Sequence, residues 1–215
     1  MSIKKQIDLI NEQIGKNVTL VAVSKTKTEL KIKEAYDSGQ RDFGENKVQE
    51  LVSKQKNLPK DINWHMIGHL QRNKVKHIAP FINLIHGVDN IKLLKEINKQ
   101  AKKNDRIIDC LIQVKISSED SKFGVDYKQA NEWLTTDLLI DFKNIRITGF
   151  MGMASNTNNE LKLTKEFSTL NTFFNKHQNT NLKILSMGMS NDYLLAIKNG
   201  SNMIRVGSNI FGARK

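Results

Sequence analysis

The chain has 215 residues, 39% hydrophobic and 26% charged, with a formal net charge of +12. That length suits one globular domain with an ample core, and no apolar run approaches the ~20 residues that span a bilayer. A single cysteine excludes an intrachain disulfide and fits a reducing compartment; with no apolar signal core after Met1-Ser2-Ile3-Lys4-Lys5, a cytoplasmic location is expected.

Ile3, Ile7, Ile10 and Ile14 share one helical face, which predicts an N-terminal helix before residue 18. Residues 18–24 form a β-branched run that is apolar on both faces, as in a parallel strand covered on two sides. A helix over 29–38, stopped by Gly39, leads to a short strand at 42–45 and a helix from about 47 to 56. A third strand at 62–67 precedes a helix from about 70 to Pro80, and a fourth at 83–88 precedes a well-patterned helix over 90–104. The fifth strand, 107–116, reads as the longest; a polar loop at 117–125 and a helix from 127 to about 139 follow. Then come a strand at 145–151, an Asn- and Thr-rich loop at 154–159, a long helix at 160–177 and a strand at 182–185. A helix at 191–198, stopped by Gly200, and a last strand at 203–206 complete the pattern.

Eight strands alternating with helices predict an α/β protein, a single (β/α)8 TIM-type barrel over 1–215 with an extra N-terminal helix. The basic residues are scattered over helix surfaces and aromatics are only 7%, so no stacking platform and no specific nucleic-acid partner is expected, nor a membrane partner. Cys110 lies within an apolar strand and reads as a small buried hydrophobe.

Active sites of such barrels lie at the carboxyl ends of the strands, with phosphates often in the loops after strands seven and eight. Lys25 ends strand one on the side of Val21 and Val23. If that side faces the lumen, its amine points into the mouth. A free lysine titrates near ~10.4, but partial burial disfavours the charged form, and a neutral amine is a nucleophile for aldehydes. Strand seven ends at Ser186-Met187-Gly188-Met189-Ser190 and strand eight at Arg205-Val206-Gly207-Ser208. Backbone N–H groups with Ser190 and Ser208 can cradle a phosphate that Gly207 lets approach; alternatively Ser190 caps the next helix. Arg205 either faces the ring of such a ligand or pairs with a carboxylate across the barrel. His65 and His69 have an inviting spacing, but Gly68 breaks the helix and no metalloprotease signature surrounds them, so no metal is expected.

At these residues the chain resembles the YggS/PROSC family of pyridoxal-phosphate (PLP) homeostasis proteins. The resemblance is carried by residues 21–27, Phe43-Gly44-Glu45-Asn46 with Gln49-Glu50, residues 64–74, Lys122-Phe123-Gly124, residues 149–153, residues 186–190 with Asp192, and residues 205–212. It implies a fold-type III PLP barrel similar to the barrel domain of alanine racemase. Lys25 matches the lysine that forms the internal aldimine. Ser190, Gly207 and Ser208 match the phosphate positions, Arg205 the arginine at the pyridine nitrogen, and Asn46 the motif lining the cofactor's other side. Met189 completes the implied cofactor-binding set. Residue 208 is threonine in many members, which retains the hydroxyl. A permanent cation beside the pyridine nitrogen disfavours its protonation and weakens the ring as an electron sink. No β domain like the one that follows the barrel in alanine racemase is expected after strand eight. The resemblance therefore implies a monomeric PLP carrier or regulator in vitamin B6 homeostasis, indirectly affecting amino-acid and 2-oxo-acid balance, without robust turnover. Apo PLP-dependent enzymes are its candidate recipients. The alternative is a racemase-like PLP enzyme.

Overall fold

The computed structural model describes residues 2–119, 122–177 and 181–213. Positions 120 and 121 of the expected polar loop lie outside the described residues. In chain order the elements are α1 (Ile3–Ile14), β1 (Thr19–Val23), α2 (Glu29–Asp37), β2 (Asp42–Glu45), α3 (Val48–Asn57), β3 (Asn63–Met66) and α4 (Val75–Ile78). Next come β4 (Leu84–Val88), α5 (Ile91–Lys103), β5 (Ile108–Val114), α6 (Tyr127–Thr135) and β6 (Ile145–Gly152). The chain continues through α7 (Glu160–Lys176), β7 (Ile184–Met189), α8 (Tyr193–Lys198), β8 (Met203–Val206) and α9 (Ser208–Phe211).

Each strand pairs in parallel with the next, and β8 pairs back onto β1, closing the barrel. Strand alternation divides the side chains into two layers. Leu20, Ala22, Phe43, Trp64 and Met66 point outward and pack under the helices in one large core. Val21, Leu84, Leu111, Met151 and Met203 form a separate apolar cluster, the lumen filling. Val21 is thus a lumen residue, and period two carries Val23 to the same side; Lys25 lies in the turn beyond the strand and lines the cavity there. The four isoleucines of α1 are buried, seating that helix against α2, α8 and α9. Capping follows the sequence: Asn90 accepts from Leu93 N at the start of α5, and Asp126 with Gln129 forms a capping box on α6. Cys110 is buried, as expected, and burial pushes its thiol above the ordinary range. Among the described residues, no helix is long and apolar enough to cross a membrane.

Some boundaries differ from the expectation. The helix expected over about 70–80 is reduced to a 3-10 turn at Arg72–Lys74 and the single turn of α4, because Gln71 is extended on one side and Pro80 follows on the other. α6 stops at Thr135, since Thr136 is extended, and Asp137–Leu139 forms a separate 3-10 turn. The longest strand is β6, with 8 residues, and not β5, with 7. β7 lies later than expected and runs through Gly188, whose φ of 88° only glycine adopts without strain. A Cβ at Gly188 would also sit 2.7 Å from the Ala196 Cβ of α8. The strand therefore bulges, with a register shift against β8 between Ser186 and Met189.

If α1 is part of this core, Ile7→Ala will destabilise the fold by about 2–5 kcal/mol, measured by urea denaturation.

Candidate functional site

Lys25 stands two residues past the end of β1, and the turn that carries it is braced from behind. The Ser24 hydroxyl donates to Glu45 Oε1 (2.6 Å), and Thr26 N–H donates to Glu50 Oε1 (2.6 Å). Lys54 ties both carboxylates together, donating to Glu45 Oε1 (2.7 Å), Glu50 Oε1 (2.6 Å) and the Ser24 carbonyl (2.8 Å). The Lys54–Glu45 pair is buried, with side-chain exposures of 6% and 0%; Lys54 places its donors on three acceptors, whereas Glu45 Oε2 is buried with no hydrogen-bond partner among the described residues, so the pair carries a desolvation cost. Thr26 has φ 64°, an unfavourable conformation for a β-branched residue, and Glu50 holds it there. Strain on one side of Lys25 and a buried ion pair on the other fix the direction in which it leaves the strand. Lys25 itself is half-buried.

The loops after β7 and β8 are tied to each other. Gly207 N–H donates to Ser190 Oγ (3.2 Å), and Asn209 Nδ2 donates to the Ser190 carbonyl (2.9 Å). Ser190 therefore bridges the two loops and does not cap α8, whose N-cap position is Asp192. A Cβ at Gly207 would lie 3.1 Å from the Val23 carbonyl, so glycine lets this loop close onto β1. Lys27 Nζ secures the next turn by donating to the carbonyls of Phe211, Gly212 and Ala213 at 3.0 to 3.4 Å.

Arg205 is buried in the lumen wall. Its Nη1 donates to the Ser186 carbonyl (2.9 Å) and hydroxyl (2.6 Å), and its Nη2 donates to the Gly152 carbonyl (3.0 Å). All three acceptors are neutral, so the expected alternative of a carboxylate partner does not hold among the described residues. Burial lowers this guanidinium to about 10, against an opposing pull from Asp192, so it stays a cation at neutral pH.

All seven residues singled out in the sequence, Lys25, Asn46, Met189, Ser190, Arg205, Gly207 and Ser208, line one cavity of about 820 Å³ at the carboxyl ends of the strands. The same wall carries Lys27, Lys122 and Lys198 against the carboxylates of Glu160 and Asp192. Five cations facing two anions favour an anionic ligand.

The model of the alanine racemase N-terminal domain family matches residues 1–215. The chain is 42% identical to the pyridoxal phosphate homeostasis protein of Schizosaccharomyces pombe, covering 97% of this chain and 91% of that one. It is 36% identical to the protein of that name from Vibrio alginolyticus, covering 99% and 98%. The chain belongs to the pyridoxal phosphate homeostasis protein family. PipY of Synechococcus elongatus, solved with PLP bound, superposes with a TM-score of 0.88 at 32% identity, covering 98% of this chain and 100% of that one. An alanine racemase of Clostridium difficile shares the barrel fold, with a TM-score of 0.81 at 11% identity over 99% of this chain and 57% of that one.

Within this family frame, several site features escaped sequence reasoning. Glu45 and Glu50 lie in the resembling segments and Lys54 four residues beyond, yet only the barrel shows that they meet behind Lys25. The loop after β6 also lines the cavity, through Met153, Asn156 and Thr157. His65 meets His86 (2.9 Å) and Asp42 (3.0 Å), whereas His69 stacks on Phe123 with ring centroids 4.4 Å apart.

The brace makes two checkable demands. Lys54→Met leaves Glu45 buried without its cation and will cost about 3–5 kcal/mol in chemical denaturation. Burial raises the Glu45 carboxyl above its usual range despite Lys54 and Ser24. The folded state then holds this proton more tightly than the unfolded one, so this contribution to stability falls as pH rises from the ordinary glutamate range through the raised value. Glu45→Gln will remove that component of the stability–pH curve.

Proposed function

We propose that this chain is a PLP-binding protein of cellular vitamin B6 homeostasis, with residues 1–215 as its single binding barrel and Lys25 as the residue that captures the cofactor's aldehyde. The observation that carries the proposal is the convergence of a braced lysine, two serine hydroxyls and a donor-only guanidinium on one cation-rich cavity. The residues fit the group. Bound PLP supplies an aldehyde open to an amine and a phosphate dianion that anchors it. Ser190 and Ser208 offer hydroxyls at the loops after β7 and β8, and β8 pairs with β1, setting Val21 beside Arg205. Lys27 and Lys198 add positive charge on the same wall. Asn46, after β2, lines the cavity on the side of β1 away from β8, and Met189 contributes an apolar rim at the end of β7. Arg205 can only donate hydrogen bonds, so it suits an unprotonated ring nitrogen.

An S. pombe relative bearing the homeostasis name and a cyanobacterial neighbour solved with PLP support the same reading. In this reading the protein is cytoplasmic and monomeric, holds PLP reversibly, limits free aldehyde and hands the cofactor to apo PLP-dependent enzymes. It has no catalytic residue of its own.

Borohydride reduction of the PLP-loaded protein, followed by peptide mass mapping, will place the pyridoxyl adduct on Lys25, and Lys25→Ala will abolish it. An adduct chiefly on another lysine contradicts the assignment. The pair Ser190→Ala and Ser208→Ala will weaken PLP binding by roughly tenfold or more each, as expected for lost bonds to a charged group, read by absorbance titration.

A further inference from the structure

The lumen holds a line of polar side chains that the cavity itself does not use. Asp42, His65, His86 and Ser186 follow one another across the barrel from the amino end of β2 to the Arg205 guanidinium. The spacings are His65 Nε2 to Asp42 Oδ1, 3.0 Å; His65 Nδ1 to His86 Nε2, 2.9 Å; His86 Nδ1 to Ser186 Oγ, 3.2 Å; and Arg205 Nη1 to Ser186 Oγ, 2.6 Å. His65, His86, Ser186 and Arg205 are buried, while Asp42 is half-buried at the far end. In a lumen otherwise filled by Val21, Leu84, Leu111, Met151 and Met203, such a line is costly unless every member is satisfied.

The donor and acceptor inventory fixes its direction. Arginine only donates, and an ionised aspartate only accepts. Ser186 Oγ therefore accepts from Arg205, and its own proton has one acceptor among the described residues, His86 Nδ1. His86 then carries its proton on Nε2 and donates it to His65 Nδ1. His65 in turn carries its proton on Nε2 and donates it to Asp42. Every bond points the same way, from the cavity floor to the opposite end of the barrel. Burial, His65 and Arg205 together hold His86 well below the ordinary histidine range, consistent with a neutral ring.

We propose that Asp42, His65, His86 and Ser186 form a one-way hydrogen-bond chain that positions the Arg205 guanidinium, making them positioning residues for the ring end of the ligand. The proposal rests on the reading of the cavity as a PLP site. Ser186 takes Nη1 through both its hydroxyl and its carbonyl, and Gly152 takes Nη2, so the guanidinium plane is set before any ligand arrives. The hydroxyl's acceptor capacity at Arg205 depends on where its proton goes, and the histidine pair dictates that. A reversed chain, with a proton on His86 Nδ1, would turn that N–H on Ser186 Oγ and leave the buried hydroxyl proton without an acceptor.

The test has a ligand-free arm and a ligand arm. Long-range 15N–1H correlation spectra of the full-length, PLP-free protein at neutral pH, assigned through His65→Gln and His86→Gln, will show both rings neutral with the proton on Nε2. A protonated ring, or a proton on Nδ1 of His86, overturns the chain whatever the cavity binds. In the ligand arm, Ser186→Ala will weaken PLP binding about tenfold, the scale of a lost bond to a charged group, with the bound-PLP absorption maximum displaced and the borohydride adduct still on Lys25. Ser186→Thr, which keeps the hydroxyl, will restore the wild-type maximum. An unchanged affinity and maximum in Ser186→Ala overturns the positioning role. Should Ser186→Ala fail to fold, Asp42→Ala at the half-buried end serves instead. It removes the acceptor that fixes His65, and both His65 tautomers will then be populated; a His65 ring still wholly Nε2-protonated in that variant overturns the chain. Failure of wild-type protein to take PLP on Lys25 would count against the functional reading and leave the tautomer result standing.

Discussion

The pairing of β8 with β1 is the constraint on which the rest depends. Thr19, Leu20, Val21 and Ala22 register with Met203, Ile204, Arg205 and Val206. That seam brings the first strand of the chain to the last. It places the residue that leaves β1, Lys25, beside the loops that leave β7 and β8. Without closure, a lysine near the start of the chain and serines near its end would lie at opposite edges of an open sheet. Gly207 reflects the same constraint, since a side chain there would press on the Val23 carbonyl across the seam.

Two kinds of polar structure flank this seam, and they act at different depths. Outside the barrel wall, Glu45, Glu50 and Lys54 hold the backbone on both sides of Lys25 and fix the direction of its side chain. Inside the lumen, Ser186 and the histidines reach Arg205. A buried ion pair and a buried imidazole pair are both expensive relative to apolar packing. Their position behind the two groups that would meet the aldehyde and the ring nitrogen suits preorganisation of the cavity better than stability alone.

Much of the fold was legible because its signals are periodic. The isoleucines at 3, 7, 10 and 14, the β-branched first strand and the helix stop at Gly39 are local features, and the elements they mark form where expected. The departures have equally local causes: Thr136 is extended, Pro80 truncates α4, and Gly188 lets β7 run on through a bulge. That the seven residues gather at one cavity was legible, since the strand-end position of Lys25 and the small, hydroxyl-bearing loops of Ser190 and Ser208 are strong cues in a barrel. Its internal wiring was not. Whether Arg205 faces a carboxylate or neutral acceptors, and whether His65 meets His69 or His86, depends on the register of strands far apart in sequence. No spacing within one segment encodes that.

The seam between Lys25 and the serine loops is tested most directly by a crystal structure of the protein grown with PLP. Continuous electron density is expected from Lys25 Nζ into the ligand, with the phosphate between Ser190 and Ser208 and the ring nitrogen against Arg205. Density joined to a different lysine, or a phosphate lodged away from the loops after β7 and β8, would contradict it.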